Sequence, residues 1–269
     1  MKYCVRYNPR VKIDYDSVDE LIIDYSKANR NFLDFLDKYN DKTIVINITD
    51  ENPLYTNDAK LIKEFDNYHK KIKVRIPLTL LNTEFFEKIL ELKIPFFFED
   101  YAHSWDSLYN LLYYSPTDIY ITQELGFELD KISKVLHEKN VNIRVFPNVA
   151  QAGSKHMDPL KTFFIRPEDT EIYESFVDIY EFYGVDDKLS SYLKIYQKDK
   201  KWFGQLNEII IGYNSYLDSR YIIPVFAENR VKCGRRCLKG SNCKICERIK
   251  ETSETLKNNN LLVKKNLTN

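Results

Sequence analysis

The sequence predicts an α/β chain in which a parallel barrel is followed by a small cysteine-rich module, and three observations carry that reading. Short β-rich runs alternate with amphipathic helical stretches through most of the chain, the pattern of strands joined by crossover helices. No glycine-rich loop follows any run and the chain has only seven glycines, which disfavours an open doubly wound, dinucleotide-type sheet. Four of the five cysteines fall within "CGRRCLKGSNCKIC", residues 233–246. A parallel sheet of eight strands closes most naturally as a (β/α)8, TIM-like barrel. The boundaries expected are a barrel over 1–222, a Cys4 module over 223–257 and a flexible tail over 258–269.

The expected strands are "YCVRY" (3–7), "TIVINIT" (43–49), "IKVRIPL" (72–78), "IPFFFED" (94–100), "DIYIT" (118–122), "NIRVFPNV" (142–149), "TFFIR" (162–166) and "YLKIY" (192–196). Helices are expected between them. "DSVDELIIDYSKANRNFLDFLDKY" (16–39) opens with an Asp or Ser cap and spaces apolar side chains by three and four. "NTEFFEKILELK", "SWDSLYNLLYYS" and "ELDKISKVLHEK" repeat the pattern. So does "PEDTEIYESFVDIYEFYG" (167–184), with Pro and acids in its first turn and Gly184 at its end. "WFGQLNEIIIGYNSYL" (202–217) reads as the eighth barrel helix, which would bury Trp202 and Phe203, although aromatic rings among lysines also suit nucleic-acid stacking. "YIIPVF" reads as extended, "CKICERIKETSETLK" as a short helix and "NNNLLVKKNLTN" as a polar, poorly ordered end.

The apolar fraction of 43% against 30% charged residues places the chain among globular proteins. Its zero formal charge argues against capture of nucleic acid by the whole surface. The charge is uneven, however. From Arg230 onward eleven Lys and Arg face three Glu, a basic end on an acidic body that either contacts a polyanion or merely solubilises the terminus. The N-terminus has no apolar core of signal-peptide length and no stretch approaches a membrane span, so the expectation is a cytoplasmic chain without a membrane partner.

Reducing conditions there make clustered cysteines metal ligands rather than disulfides. Cys233, Cys237, Cys243 and Cys246, spaced C-x3-C-x5-C-x2-C, can close a tetrahedral shell around Zn2+ or hold a 4Fe–4S cluster. Gly234, Gly240, Ser241 and Asn242 supply turns, and Lys232, Arg235, Arg236, Lys239 and Lys244 favour the thiolate forms. Cys4, inside the first strand, reads as a small core residue.

In a barrel of this kind chemistry sits at the C-terminal ends of the strands. The polar residues expected there are Asn47, Asp50, Arg75, Glu99, Asp100, Gln123, Asn148, Gln151, Arg166 and Gln197. Arg75 and Arg166 are candidates for binding a carboxylate ligand bidentately, with Glu99 as acid or base. The plainer role for each is a helix cap or a salt bridge in a barrel layer. His103 is the histidine nearest a strand end, and the four histidines have no ligand-like spacing. No "GxSxG", Walker loop or "HExxH" is present.

"PTDIYITQELGFELDKI", "NIRVFPNVAQA", "KTFFIRPEDTEI" and "CGRRCLKGSNCKIC" occur in an order that resembles the collagenase-like peptidase family, whose better-understood members are RNA-modifying hydroxylases. The resemblance covers roughly residues 94–250. It implies that Gln123, Asn148, Arg166 and Glu168 line the barrel mouth, with Arg166 and Glu168 catalytic and Gln123 and Asn148 binding substrate. It also implies that the four cysteines hold an iron–sulfur cluster beside it. The family's "E-x-F-x-H-G" strand is replaced here by "YLKIYQK". Two functional expectations follow. One is a barrel enzyme modifying RNA or another polyanion, guided by Arg235 and Arg236 in the basic module. The other is a non-catalytic nucleic-acid- or protein-binding module built on a structural zinc knuckle. A small-molecule hydrolase or lyase with purely structural zinc ranks behind both.

Overall fold

The computed structural model describes residues 1–25, 32–49, 55–150, 163–184, 188–212, 218–222, 225–234, 244, 246–249, 251–252 and 254–255. The chain divides into two compact units. The first comprises residues 1–121, 134–145 and 177–190; the second comprises 122–133, 146–176 and 191–269.

All nine described strands belong to the first unit. They are β1 (Lys2–Arg6), β2 (Glu20–Asp24), β3 (Thr43–Asn47), β4 (Ile72–Ile76), β5 (Phe96–Phe98), β6 (Tyr101–Ala102), β7 (Asp118–Ile121), β8 (Asn142–Val145) and β9 (Ile179–Phe182). They form one sheet in the order β5-β4-β3-β2-β1-β9-β8-β7-β6, and every ladder is parallel. The two ends of this sheet come together where Thr117 donates its backbone N–H to the Phe96 carbonyl at 2.8 Å and its hydroxyl to the same oxygen at 3.0 Å. The result is a nearly closed parallel barrel. β-Branched and aromatic side chains dominate "TIVIN", "IKVRI" and "FFF", as strands covered on both faces require.

The helices are α1 (Phe32–Lys38), α2 (Thr56–His69), α3 (Glu84–Glu91), α4 (Trp105–Leu112), α5 (Gln123–Gly126), α6 (Leu129–Glu138), α7 (Thr170–Tyr173), α8 (Lys188–Lys194) and α9 (Val225–Arg230). Thr83 caps α3 by accepting the Phe86 N–H, and Ser104 caps α4 by accepting the Ser107 N–H at 3.1 Å. Outside the barrel, Ala59 and Ile62 of α2 and Phe85, Phe86 and Ile89 of α3 are buried with Ile44, Ile46 and Val74 of the sheet. A separate core holds the second unit together: Phe164, Leu206, Ile209, Ile210, Ile222, Phe226 and Ile249, with Trp202 and Cys246 packed against it.

Several sequence expectations are corrected. The helix expected over 16–39 contains strand β2, and the one expected over 167–184 contains β9. "IYEF" is buried along its whole length and "ELIID" through Ile23, and short apolar runs of this kind fit either period until partners are known. Conversely, 192–196 is not a strand but the end of α8 running into a π-helical turn at Ile195–Asp199. Residues 164–166 lie outside the sheet. The reason is lateral: β1 is already flanked by β2 and β9, and β8 by β7 and β9. The eighth helix expected over 202–217 is absent among its described residues, where only a 3-10 turn at Leu206–Glu208 forms. Phe203 is 72% exposed rather than buried. Of "YIIPVF", expected to be extended, Ile222 is extended, whereas Tyr221 ends a 3-10 turn at Ser219–Tyr221 and Val225 and Phe226 begin α9. Residues 246–249 are helical, as expected.

Candidate functional site

The interior of the barrel is charged. Alternation along the strands brings Cys4, Glu20, Asn47, Lys73, Arg75, Asp118, Tyr120, Arg144 and Glu181 into one network. Arg144, fully buried, donates through Nη2 to Glu20 and to Asp118 at 2.8 Å, and through Nη1 to Glu181 at 3.0 Å. Its guanidinium carbon lies 4.5 Å from the centre of the Phe97 ring. Lys73 reaches Glu20 at 3.2 Å and Asp118 at 2.9 Å. Arg75 donates to Asn47 at 2.7 Å, to Tyr120 and Glu181 at 3.2 Å, and to Glu99 at 3.3 Å. Tyr120 in turn donates to Glu181 at 2.6 Å.

Three cations thus face three buried carboxylates, Glu20, Asp118 and Glu181. This neutrality is what lets charges replace the usual aliphatic layers. Burial pushes the Cys4 thiol and the Tyr120 phenol well up, so both stay protonated. For Asp118 burial acts upward, but the charges of Arg144 and Lys73 outweigh it and hold the carboxyl at about 2. An ordinary Asp titrates near ~3.9. The folded value is therefore depressed: the stabilisation is complete above about pH 4 and is lost as pH falls through about 2. It amounts to roughly 2 kcal/mol. In urea titrations at pH 4.5 and 2.5, wild type should lose about this much more stability than Asp118→Asn. Equal losses would contradict the assignment.

Arg75 and Glu99, both read from the sequence, are joined here, with Glu99 the more exposed partner at 47% of its side chain. For Arg75 the salt bridge in a barrel layer is the observed role. Sequence reading passed over Glu20, Arg144, Glu181, Asp118 and Lys73. Each is a charge inside an otherwise apolar run, and that was the signal available.

The second unit contains a cavity of about 270 Å3 lined by Arg166, Glu168, Lys201, Trp202, Phe203 and Arg220, among others. Arg166 is buried and grips Asp169 with two 2.7 Å hydrogen bonds, while Nη1 donates to the Ser219 carbonyl at 3.2 Å. Glu168 lies 3.6 Å from Arg166 and accepts a hydrogen bond from the Ser219 hydroxyl on Oε1. Its Oε2 is buried and accepts no hydrogen bond from the described residues. Burial raises the Glu168 carboxyl above its ordinary value, against the opposing effects of Arg166 and Ser219. A carboxyl shifted upward, with one oxygen uncommitted, keeps its proton more readily than a solvated one and can serve in proton transfer. Trp202 donates its indole N–H to the Gln205 carbonyl at 3.0 Å, which fixes the ring beside exposed Phe203. Lys201, Ser219 and Arg220 were not singled out in the sequence.

Asn148 is buried, and its carbonyl accepts the Ile211 N–H at 2.8 Å. Gln123 begins α5. At the other end of α5, a Cβ on Gly126 would stand 2.5 Å from the buried Phe163 ring, so close packing accounts for this glycine. Asp50, Gln151, Arg235, Arg236, Cys237 and Cys243 lie outside the described residues. Cys233 and Cys246 are half-buried and carry no disulfide. Cys233 is followed by Gly234 at φ +56°, a left-handed turn whose N–H bonds the Phe127 carbonyl at 2.8 Å. Two half-buried thiols, one on the second core, fit the donor set of a soft-metal site. No group of three metal-ligating side chains occurs among the described residues. No described helix is long and apolar enough to cross a membrane.

No protein-family model and no curated protein matches the sequence.

Proposed function

We propose that this chain is a TIM-like (β/α)8 barrel protein that binds a metal and modifies RNA or another polyanion in a reducing compartment such as the cytoplasm. The observation that carries the reading is the convergence of Arg166, Glu168, Lys201, Trp202, Phe203 and Arg220 on one small cavity. Cations suit phosphate groups, and the two aromatic rings suit a stacked base. Glu168 is the acid or base. The cavity lies below the ~300–1,000 Å3 of drug-sized sites, in keeping with one planar group of a longer substrate. The basic terminus, with Arg235 and Arg236, would hold the rest of the strand, and Gln123 and Asn148 are assigned subsidiary substrate contacts. Cys233, Cys237, Cys243 and Cys246 would hold the metal; zinc would keep the segment folded, whereas a 4Fe–4S cluster would add redox capacity. The ordered motif resemblance to the collagenase-like peptidase family supports the same reading.

The test is binding of a short single-stranded RNA, followed by fluorescence anisotropy on metal-replete protein. Affinity should fall steeply between about 50 and 200 mM salt. Trp202→Ala with Phe203→Ala should weaken it about tenfold or more. Glu168→Gln should leave affinity intact and remove turnover. Absent or salt-independent binding would refute the proposal. The charge of the terminal segment favours one second reading, a non-catalytic binding module: binding would then vanish with Arg235→Ala and Arg236→Ala, and Glu168→Gln would change nothing.

A further inference from the structure

A cavity in the barrel unit serves none of the roles above. It has a volume of about 590 Å3, well within the range of small-molecule sites, and lies between the turn at Leu78–Leu80 and α4. Its lining includes Asp100, Tyr101, His103, Tyr109, Tyr113 and Tyr114, and no lysine or arginine among the described residues. Three of these tyrosines are unusually exposed for large rings: Tyr101 at 41%, Tyr109 at 54% and Tyr113 at 82%. Tyr113 and Tyr114 stand perpendicular with centroids 5.1 Å apart, so they offer faces in two different directions.

We infer that this cavity binds an organic cation of the alkylammonium class. The face of a tyrosine ring carries the negative end of its quadrupole and attracts a cation, most strongly a poorly hydrated one. Several rings in different orientations, together with a carboxylate, form the cage that such a group requires. Asp100 is held for this purpose: Oδ2 accepts the Leu78 N–H at 3.0 Å, and the other oxygen accepts no hydrogen bond from the described residues. Nδ1 of His103 lies 3.1 Å from the Tyr101 carbonyl, which can only accept, so Nδ1 is the donor there. An apolar ligand would gain from the rings but nothing from Asp100. An anion would meet a carboxylate with no lysine or arginine to balance it.

Calorimetric titration with butyrylcholine and with its uncharged carbon isostere, 3,3-dimethylbutyl butanoate, tests the inference. The cation should bind at least about tenfold more tightly than the isostere. Tyr109→Leu with Tyr113→Leu keeps apolar surface but removes two ring faces, and should weaken the cation about tenfold while leaving the isostere unchanged. Both side chains are exposed, so folding should survive, and a circular dichroism melt checks that it does. Asp100→Asn should also weaken only the cation. Equal binding of the two ligands, unchanged affinity in the tyrosine variant, or no heat at about 10 mM butyrylcholine would overturn the inference.

Discussion

Arg144→Met is expected to destabilise the barrel unit by about 3–5 kcal/mol at neutral pH, the largest effect of any single substitution in this unit. Methionine matches only the aliphatic stem of the side chain; the guanidinium carbon that lies over Phe97 is removed with the charge, so the loss combines that contact with the ion pairs. Without the guanidinium, Glu20 and Asp118 share the one cation Lys73, Asp118 keeps the Asn142 amide, and Glu181 keeps Arg75 and Tyr120 among the described residues. A buried carboxylate left short of a partner must either stay charged at high cost or take up a proton. The variant should therefore regain part of its stability as pH is lowered from 7 toward 5, opposite to the usual acid limb. Adding Glu20→Gln should restore part of the loss at pH 7, because it removes one of the stranded charges. Urea unfolding of the three proteins across that pH range measures both effects. A loss below about 1 kcal/mol would mean that the interior is hydrated enough to screen the network.

Arg166→Met should cost about 3 kcal/mol in the second unit. Asp169, only 3% exposed, would lose both of its short hydrogen bonds, and the carbonyls of Ser219 and Ile222 would lose a donor. Arg166→Lys should recover part of this, since it keeps the charge but cannot repeat the two-point contact. Removing the cation beside Glu168 should push that carboxyl further up. A thermal unfolding series separates this stability role from chemistry: Glu168→Gln should melt near wild type, because the amide oxygen can still accept the Ser219 hydroxyl and Oε2 has no hydrogen bond to lose. If Arg166→Met and Glu168→Gln fell equally, the pair would be a structural unit and not an anchor beside a reactive acid.

The short strands β3, β4, β5, β7 and β8 were legible because apolar, β-branched runs announce buried parallel strands wherever turn residues bound them. β2 and β9 were hidden by their flanks. Each lies inside a longer stretch whose spacing also satisfies a helix, and each carries an inward acid that a strand reading would reject. Glu20 and Glu181 are tolerable because Arg144, contributed by β8, meets both, with Lys73 on Glu20 and Arg75 on Glu181. The Arg144 pairing spans more than a hundred residues for Glu20, a distance over which no local pattern carries information. The same limit applies to the candidate site. Arg166 and Glu168 are neighbours in sequence and could be read together, whereas Lys201, Ser219 and Arg220 join them only through the tertiary fold.

By itself, then, the sequence determined the alternation that makes a parallel barrel, the burial of Cys4, the glycine turn after Cys233 and the helical turn that carries Cys246. These depend on local periodicity and backbone preference, which a few consecutive residues encode. Only the tertiary structure decided which segments supply the nine described strands, that the barrel's interior is a neutral lattice of charges, and which aromatic side chains line the two cavities. Those outcomes turn on which groups are brought together after water is removed. A buried charge is admitted or refused by its partner, and the partner is chosen by the fold.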